Sequence, residues 1–163
     1  MTKTSPIRPI DNEARDLLRR LMGEATHAAL GTVHPDHGAP HVTRIALAMT
    51  KQDEAITLIS DLSLHAKALK AASLCGLLVG EPGEKGDPLT HPRISLACRA
   101  EFVKREHARW ADLRAQYLEA RPKAKLYADF GDFNFVLFDV QEADLNGGFG
   151  KAFRLTPMDL GLA

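Results

Sequence analysis

Along the chain, the spacing of apolar positions switches between two residues and about 3.6, and each switch marks an element. The clearest alternation covers residues 93–104. Ile94, Leu96, Cys98, Ala100 and Phe102 share one face there, and Arg93, Ser95, Arg99 and Glu101 the other. Its length suits a bent strand of a barrel. Shorter strands are predicted at His27–Val33, 41–48, Ala55–Ser60 and Leu74–Val79. The first two are joined by His34-Pro35-Asp36-His37-Gly38-Ala39-Pro40, a run of turn-forming residues that predicts a hairpin. Segment 133–140 is apolar on both sides, with Phe133, Phe135 and Leu137 against Val136, Phe138 and Val140. Such a strand is covered on both faces, and a second subunit is one candidate for the outer cover.

Helical spacing appears in three places. Asp11 or Asn12 caps a helix over 13–25 whose apolar side is Ala14, Leu17, Leu18, Leu21 and Met22. A second helix, over 106–120, carries Trp110, Leu113 and Tyr117 on one stripe; Pro122 ends it, and a short one follows through Tyr127. The third starts at Leu62, with Leu62, Ala66 and Leu69 as its apolar stripe and Ser63, Lys67 and Lys70 on a neighbouring face. About six strands with two or three helices predict a mainly β fold with peripheral helices, arranged as a barrel. Residues 1–11 read as an N-terminal arm, 12–155 as one domain and 156–163 as a C-terminal tail.

Composition narrows the partners. The chain has 163 residues, enough for a single domain with a substantial core. Lys and Arg number 21, as do Asp and Glu, so no global field favours nucleic acid or an anionic membrane, and any anion site must be local. No apolar run reaches the roughly 20 residues a bilayer demands, and the N-terminal residues lack the apolar core of a signal peptide. A cytoplasmic protein is expected. Cys75 and Cys98 lie in apolar, strand-like runs and are expected to be buried thiols rather than a disulfide.

Candidate chemistry concentrates where the strand Ala55–Ser60 runs into the following helix. A helix N-terminus presents unpaired N–H groups and the positive end of its dipole. Ser60, Ser63, His65 and Lys67 add hydroxyls, an imidazole and an ammonium, a set that suits a phosphate monoester. An ordinary surface helix with solvated lysines accounts for the same residues. Arg44 shares a face with Val42, Ala46 and Ala48. If that face is buried, the guanidinium needs an anion; if the Ile45–Leu47 face is buried, Arg44 is a surface residue. His34 and His37 have no Cys or carboxylate set at usable spacing, so no metal site is expected. The Pro- and Gly-rich loop 80–92 lacks the Gly-Lys-Ser/Thr ending of a phosphate-binding loop. Gly147, Gly148 and Gly150, with Phe149 and Phe153 nearby, allow a close backbone approach or form a bulge between two strands.

Read in order, THAALGTVHPDHGAPHVTRIALAM, LISDLSLHAKALKAA, LLVGEPGEKGDPLTHPRISLACRAEFV and YADFGDFNFVLFDVQEADLNGGFGKAFRL resemble successive blocks of the FMN-binding split barrel. The resemblance spans 12–155 and points to the pyridoxamine 5′-phosphate oxidase-related family, HugZ-like subgroup. It implies a homodimer with FMN at the subunit interface and an FMN-dependent oxidoreductase acting on a small molecule. Arg44 would hold the FMN phosphate, and Ser60, His65 and Lys67 would complete the cradle. Backbone at Arg44, Ile45 and Ala46 would line the flavin, and Arg93 would touch it. Gly148, Phe149 and Gly150 would approach from the partner subunit. No catalytic acid or base is singled out. The chain departs from the pattern at His65-Ala66-Lys67, where relatives carry a hydroxyl residue beside the histidine. No histidine follows His107, which argues against direct haem degradation. Substrate-phosphate residues of true pyridoxamine 5′-phosphate oxidases are not matched either. A haem-binding or haem-utilisation protein of the HugZ type is the alternative, and a cofactor-free interaction module a third.

Overall fold

Nine strands form one mixed, curled sheet in the computed structural model, which describes residues 7–148 and 150–160. The strands are β1 (Ile7–Arg8), β2 (His27–Val33), β3 (Pro40–Ala46), β4 (Ala48–Met49), β5 (Ala55–Ser60), β6 (Leu74–Val79), β7 (Arg93–Val103), β8 (Phe133–Asn146) and β9 (Ala152–Leu155). Helices α1 (Asn12–Glu24), α2 (Leu64–Ala71) and α3 (Trp110–Ala120) lie around them. The path runs β1-β9-β8-β7-β6-β2-β3, with β5 joining β8 on the same edge as β9, opposite β7, and β4 pairing β5. All pairings are antiparallel except β1 with β9. This is the mainly β barrel with peripheral helices that the pattern predicts, in the split form that the resemblance implies.

β8 is the strand that closes the barrel. Its first part, Phe133 to Phe138, pairs with β5, and its last part, Ala143 to Asn146, pairs with β9. Between them the register against β7 jumps from Cys98↔Val140 to Ala97↔Glu142, leaving Gln141 as an extra residue. A bulge of this kind bends and twists a strand, and here it lies where β8 changes partners.

Two apolar clusters follow from the two faces. Inside the barrel, Leu30, Leu77, Ile94, Leu96, Val136, Phe138 and Leu145 pack under α1. On the outer side, Phe135 and Leu137 of β8 and Ile56 and Leu58 of β5 are sealed by Leu113 and Tyr117 of α3. Trp110 and Tyr117 both meet Phe135 edge-on, with centroids 5.9 and 5.5 Å away. Burying an aromatic or large aliphatic side chain of this type contributes about 1.5–3 kcal/mol. The outer cover of 133–140 is therefore this chain's own helix α3, in place of the second subunit considered above.

Helix starts also differ from expectation, for local reasons. Asp11 caps α1 by accepting from the Ala14 N–H at 2.8 Å. Ser63, which accepts from Ala66 N–H, caps α2, so Leu62 precedes the helix and is 78% exposed instead of joining the stripe. Helix α3 begins at Trp110 and not near 106, because residues 104–109 form turns in which the His107 ring accepts the Arg109 N–H. Strand β3 stops at Ala46; Leu47 turns inward and its carbonyl goes to Arg121.

Candidate cofactor site at the barrel split

Strand β3 pairs only with β2, and its other edge faces β5 across the split. Two side-chain contacts span or flank that gap. Thr57, fully buried on β5, donates to the Ala46 carbonyl at 2.6 Å. Thr43 hydrogen-bonds His65 Nδ1 of α2 at 3.2 Å. Alternation along β3 turns His41, Thr43 and Ile45 one way and Val42, Arg44 and Ala46 the other. Ile45 is in the core while Val42 and Arg44 are exposed, so the buried face is the one that carries Ile45. That settles the alternative left open in the sequence: Arg44 is not forced to an anion by burial.

His65 is half-buried, and burial followed by the positive charge of His41 holds its pKa below the ordinary imidazole value. The Nδ1 of His41 is buried and meets no hydrogen-bond partner, an orphaned polar atom beside the Thr43–His65 contact. Lys67 is exposed on α2 and, like Arg44, forms no ion pair among the described residues; Lys70 on the same helix reaches Asp61 at 2.5 Å. Arg44 instead adds a long-range positive field at Glu81, whose carboxyl is held low first by its hydrogen bond to His27.

Ser60 sits apart from these groups. Its hydroxyl donates to Asp132 at 2.5 Å and accepts from the Leu62 N–H. Asp61 beside it accepts from Lys70 and from Asn134 at 2.7 Å. Arg93 is elsewhere again, donating to the Leu89 and His91 carbonyls at 3.0 and 3.4 Å. It pairs across the sheet with Asn146, just ahead of the glycine segment. Gly148 (φ 112°) lies so close to Thr90 that a Cβ would stand 3.0 Å from its carbonyl oxygen. Gly150 is exposed at φ 71°, and Phe149 lies outside the described residues. The structure thus brings His65 and Lys67 of α2 up to Thr43 and His41 of β3, sets Arg44 on the opposite face of β3 with its field on Glu81, gathers Arg93 with the glycine segment, and leaves Ser60 bound to Asp132.

Thr43 and His41 are the members the sequence reading missed. Their common face on β3, opposite Arg44, was the available signal. His34 and His37 shape the hairpin tip: their rings stack at 3.7 Å, and each Nδ1 accepts a backbone N–H. Among the described residues no set of three His, Cys, Asp or Glu is placed to hold a metal ion.

The donors about β3 and α2 fit an anionic group such as the phosphate of a flavin mononucleotide. Lys67 lies in the first turn of α2 and forms no ion pair among the described residues, His65 beside it meets Thr43, and the buried Nδ1 of His41 has no partner there; Arg44 stands on the opposite face of β3. Ser60 would join only by giving up Asp132.

Comparison with known proteins places this architecture. No family model matches the chain. A solved structure 41% identical superposes with a TM-score of 0.83 over 94% of this chain and 98% of its own. A heme binding protein from Mycobacterium smegmatis is 25% identical with TM-score 0.80, covering 94% of this chain and 61% of that one. A protein from Clostridium acetobutylicum related to general stress protein 26, of the pyridoxinephosphate oxidase family, shares the fold at TM-score 0.69 and 12% identity over 93% and 99% of the two chains. In sequence, 116 residues are 31% identical to the non-canonical heme oxygenase HOZ, chloroplastic, of Arabidopsis thaliana, covering 71% of this chain. The chain spans about a third of the length of that curated relative, 34%. The chain has the split-barrel fold of that pyridoxinephosphate oxidase-family protein. Proteins named for haem and for flavin chemistry both occur among its relatives.

Proposed function

We propose that this chain is a homodimeric flavoprotein that holds FMN by its phosphate at β3 and α2 and acts as an FMN-dependent oxidoreductase on a small molecule. The supporting observation is that Arg44 and Lys67, on the two elements that Thr43 and His65 join, lack carboxylate partners among the described residues. Arg44 would offer a planar fork to the phosphate and Lys67 a point charge, while His65 would meet it through its remaining ring nitrogen. Backbone at Ile45 and Ala46, on the unpaired edge of β3, would face the ring system. Arg93 and Gly150, some distance along the sheet, would serve the partner's site. FMN, when bound, supplies hydride or electron transfer; the chain supplies the anchor and controls access.

The test is an absorption spectrum of the purified protein followed by FMN titration of wild type, Arg44→Ala and Lys67→Ala. A charge-assisted hydrogen bond to phosphate is worth about 1.5–3 kcal/mol, so each variant is expected to bind FMN roughly 10- to 100-fold more weakly. Wild-type affinity in Arg44→Ala would remove the proposed anchor. A second reading, haem binding, is favoured by the names of the HOZ and Mycobacterium relatives and by two imidazoles, His41 and His65, near enough for His41 to act on the His65 pKa. Haemin titration separates the two. A Soret shift lost in His65→Ala, with no FMN binding, would replace the flavin reading.

A further inference from the structure

Cys75 and Cys98 take no part in the site above, and the fold sets them directly opposite one another on the antiparallel strands β6 and β7. Opposed residues on such strands point to the same side of the sheet, with Cα atoms about 4.5–5.5 Å apart. A disulfide spans Cα separations of about 4.4–6.8 Å. Cys98 is 1% exposed within the barrel interior, and half-buried Cys75 packs against that same cluster. A negative charge on Cys75 is felt at Cys98.

We propose that Cys75 and Cys98 form a cross-strand dithiol that hydrogen peroxide converts to an intramolecular disulfide, a covalent modification site in the barrel wall. The more exposed Cys75 sulfur attacks the peroxide, the O–O bond breaks, and a sulfenic acid forms as water leaves. The Cys98 sulfur then displaces hydroxide from the Cys75 sulfur, making the S–S bond and a second water. Both thiol protons leave as part of those waters, and two electrons pass from sulfur to the peroxide. The new bond staples the base of the β6–β7 hairpin, enclosing the 80–92 loop and Arg93. Burial pushes the Cys75 thiol up to about 11 and raises Cys98 as well, with Asp139 adding to the effect at Cys98. Thiolate is the reactive form, so the oxidation is slow at neutral pH and needs sustained exposure to peroxide.

The full chain, reduced and then incubated with hydrogen peroxide, is denatured, alkylated and digested with trypsin. The expected product joins peptide 71–85 to peptide 94–99, leaves neither thiol alkylatable, reverts with dithiothreitol and raises Tm in the oxidised form. Cys75→Ser is expected to abolish the cross-link while keeping the wild-type circular dichroism spectrum. Cys98→Ser should stop at a dimedone-trapped sulfenic acid on Cys75. Full alkylation of both cysteines after treatment, a sulfinic acid on Cys75 beside a free Cys98, or a bond between two chains would each overturn the proposal.

Discussion

His65 shows how one side chain links stability to pH. Its pKa is lowered in the fold, first by burial and then by His41, so the unfolded chain takes up the proton first as pH falls. Wherever the unfolded state binds more protons, stability rises with pH. The contribution is therefore intact above the ordinary value of about 6.5 and declines as pH falls from there toward the lowered pKa. Urea midpoints measured at about pH 8 and about pH 5.5 are expected to drop less in His65→Asn than in wild type. An equal drop in both would mean that the ring titrates normally. An anion bound at β3 and α2 would oppose this decline, because it favours the charged ring.

Among the elements, α3 is held by more than its apolar stripe. Arg121, just past its end, donates to the carbonyls of Leu47 at 2.9 Å, Ala25 at 2.9 Å and Ala120. It ties the end of α3 to the β3–β4 corner and the end of α1. Removing the guanidinium leaves partly buried carbonyls without donors, at about 1–3 kcal/mol. Arg121→Met is expected to lose about 2–3 kcal/mol in urea unfolding with an unchanged m-value; a loss below about 0.5 kcal/mol would show that water replaces the contacts. Nothing in the sequence marked this residue, since its partners are backbone atoms 74 and 96 positions away. The strands were legible because side-chain alternation is a local property: Ile94, Leu96, Cys98 and Ala100 are all buried, as their period requires. Leu62 was misplaced because capping, set by Ser63, outranked hydrophobic spacing. The cover of β8 was not legible for a related reason. Apolarity at Phe135 and Leu137 demands a cover without saying which element provides it. At the site, alternation limited Arg44 to two faces, and only the neighbours of β3 decided between them.

At the scale of the molecule, the outward face of β3, β2 and β6 is the surface most in need of a partner. Directly paired residues put Val42, Gly31 and Gly76 in one row and Arg44, Ala29 and Leu78 in the next. Val42 is 69% exposed, Leu78 45% and, further along β6, Leu74 58%. The glycines keep the patch flat, and exposed apolar patches of this kind mark association surfaces. Arg44 stands on the same face, looking away from its own barrel. A cofactor site shared between two copies would account for a cation that forms no ion pair among the described residues. The proposed homodimer is thus coupled to the proposed FMN site, and one substitution tests both. A Leu78→Glu variant puts like charges opposite each other across a two-fold interface while leaving the buried core untouched. It is expected to run as a monomer in size-exclusion chromatography with light scattering where wild type runs as a dimer, and to lose FMN affinity together with dimerisation. A monomer that binds FMN as tightly as wild type would confine the site to one chain. A variant still dimeric would move the interface off this face.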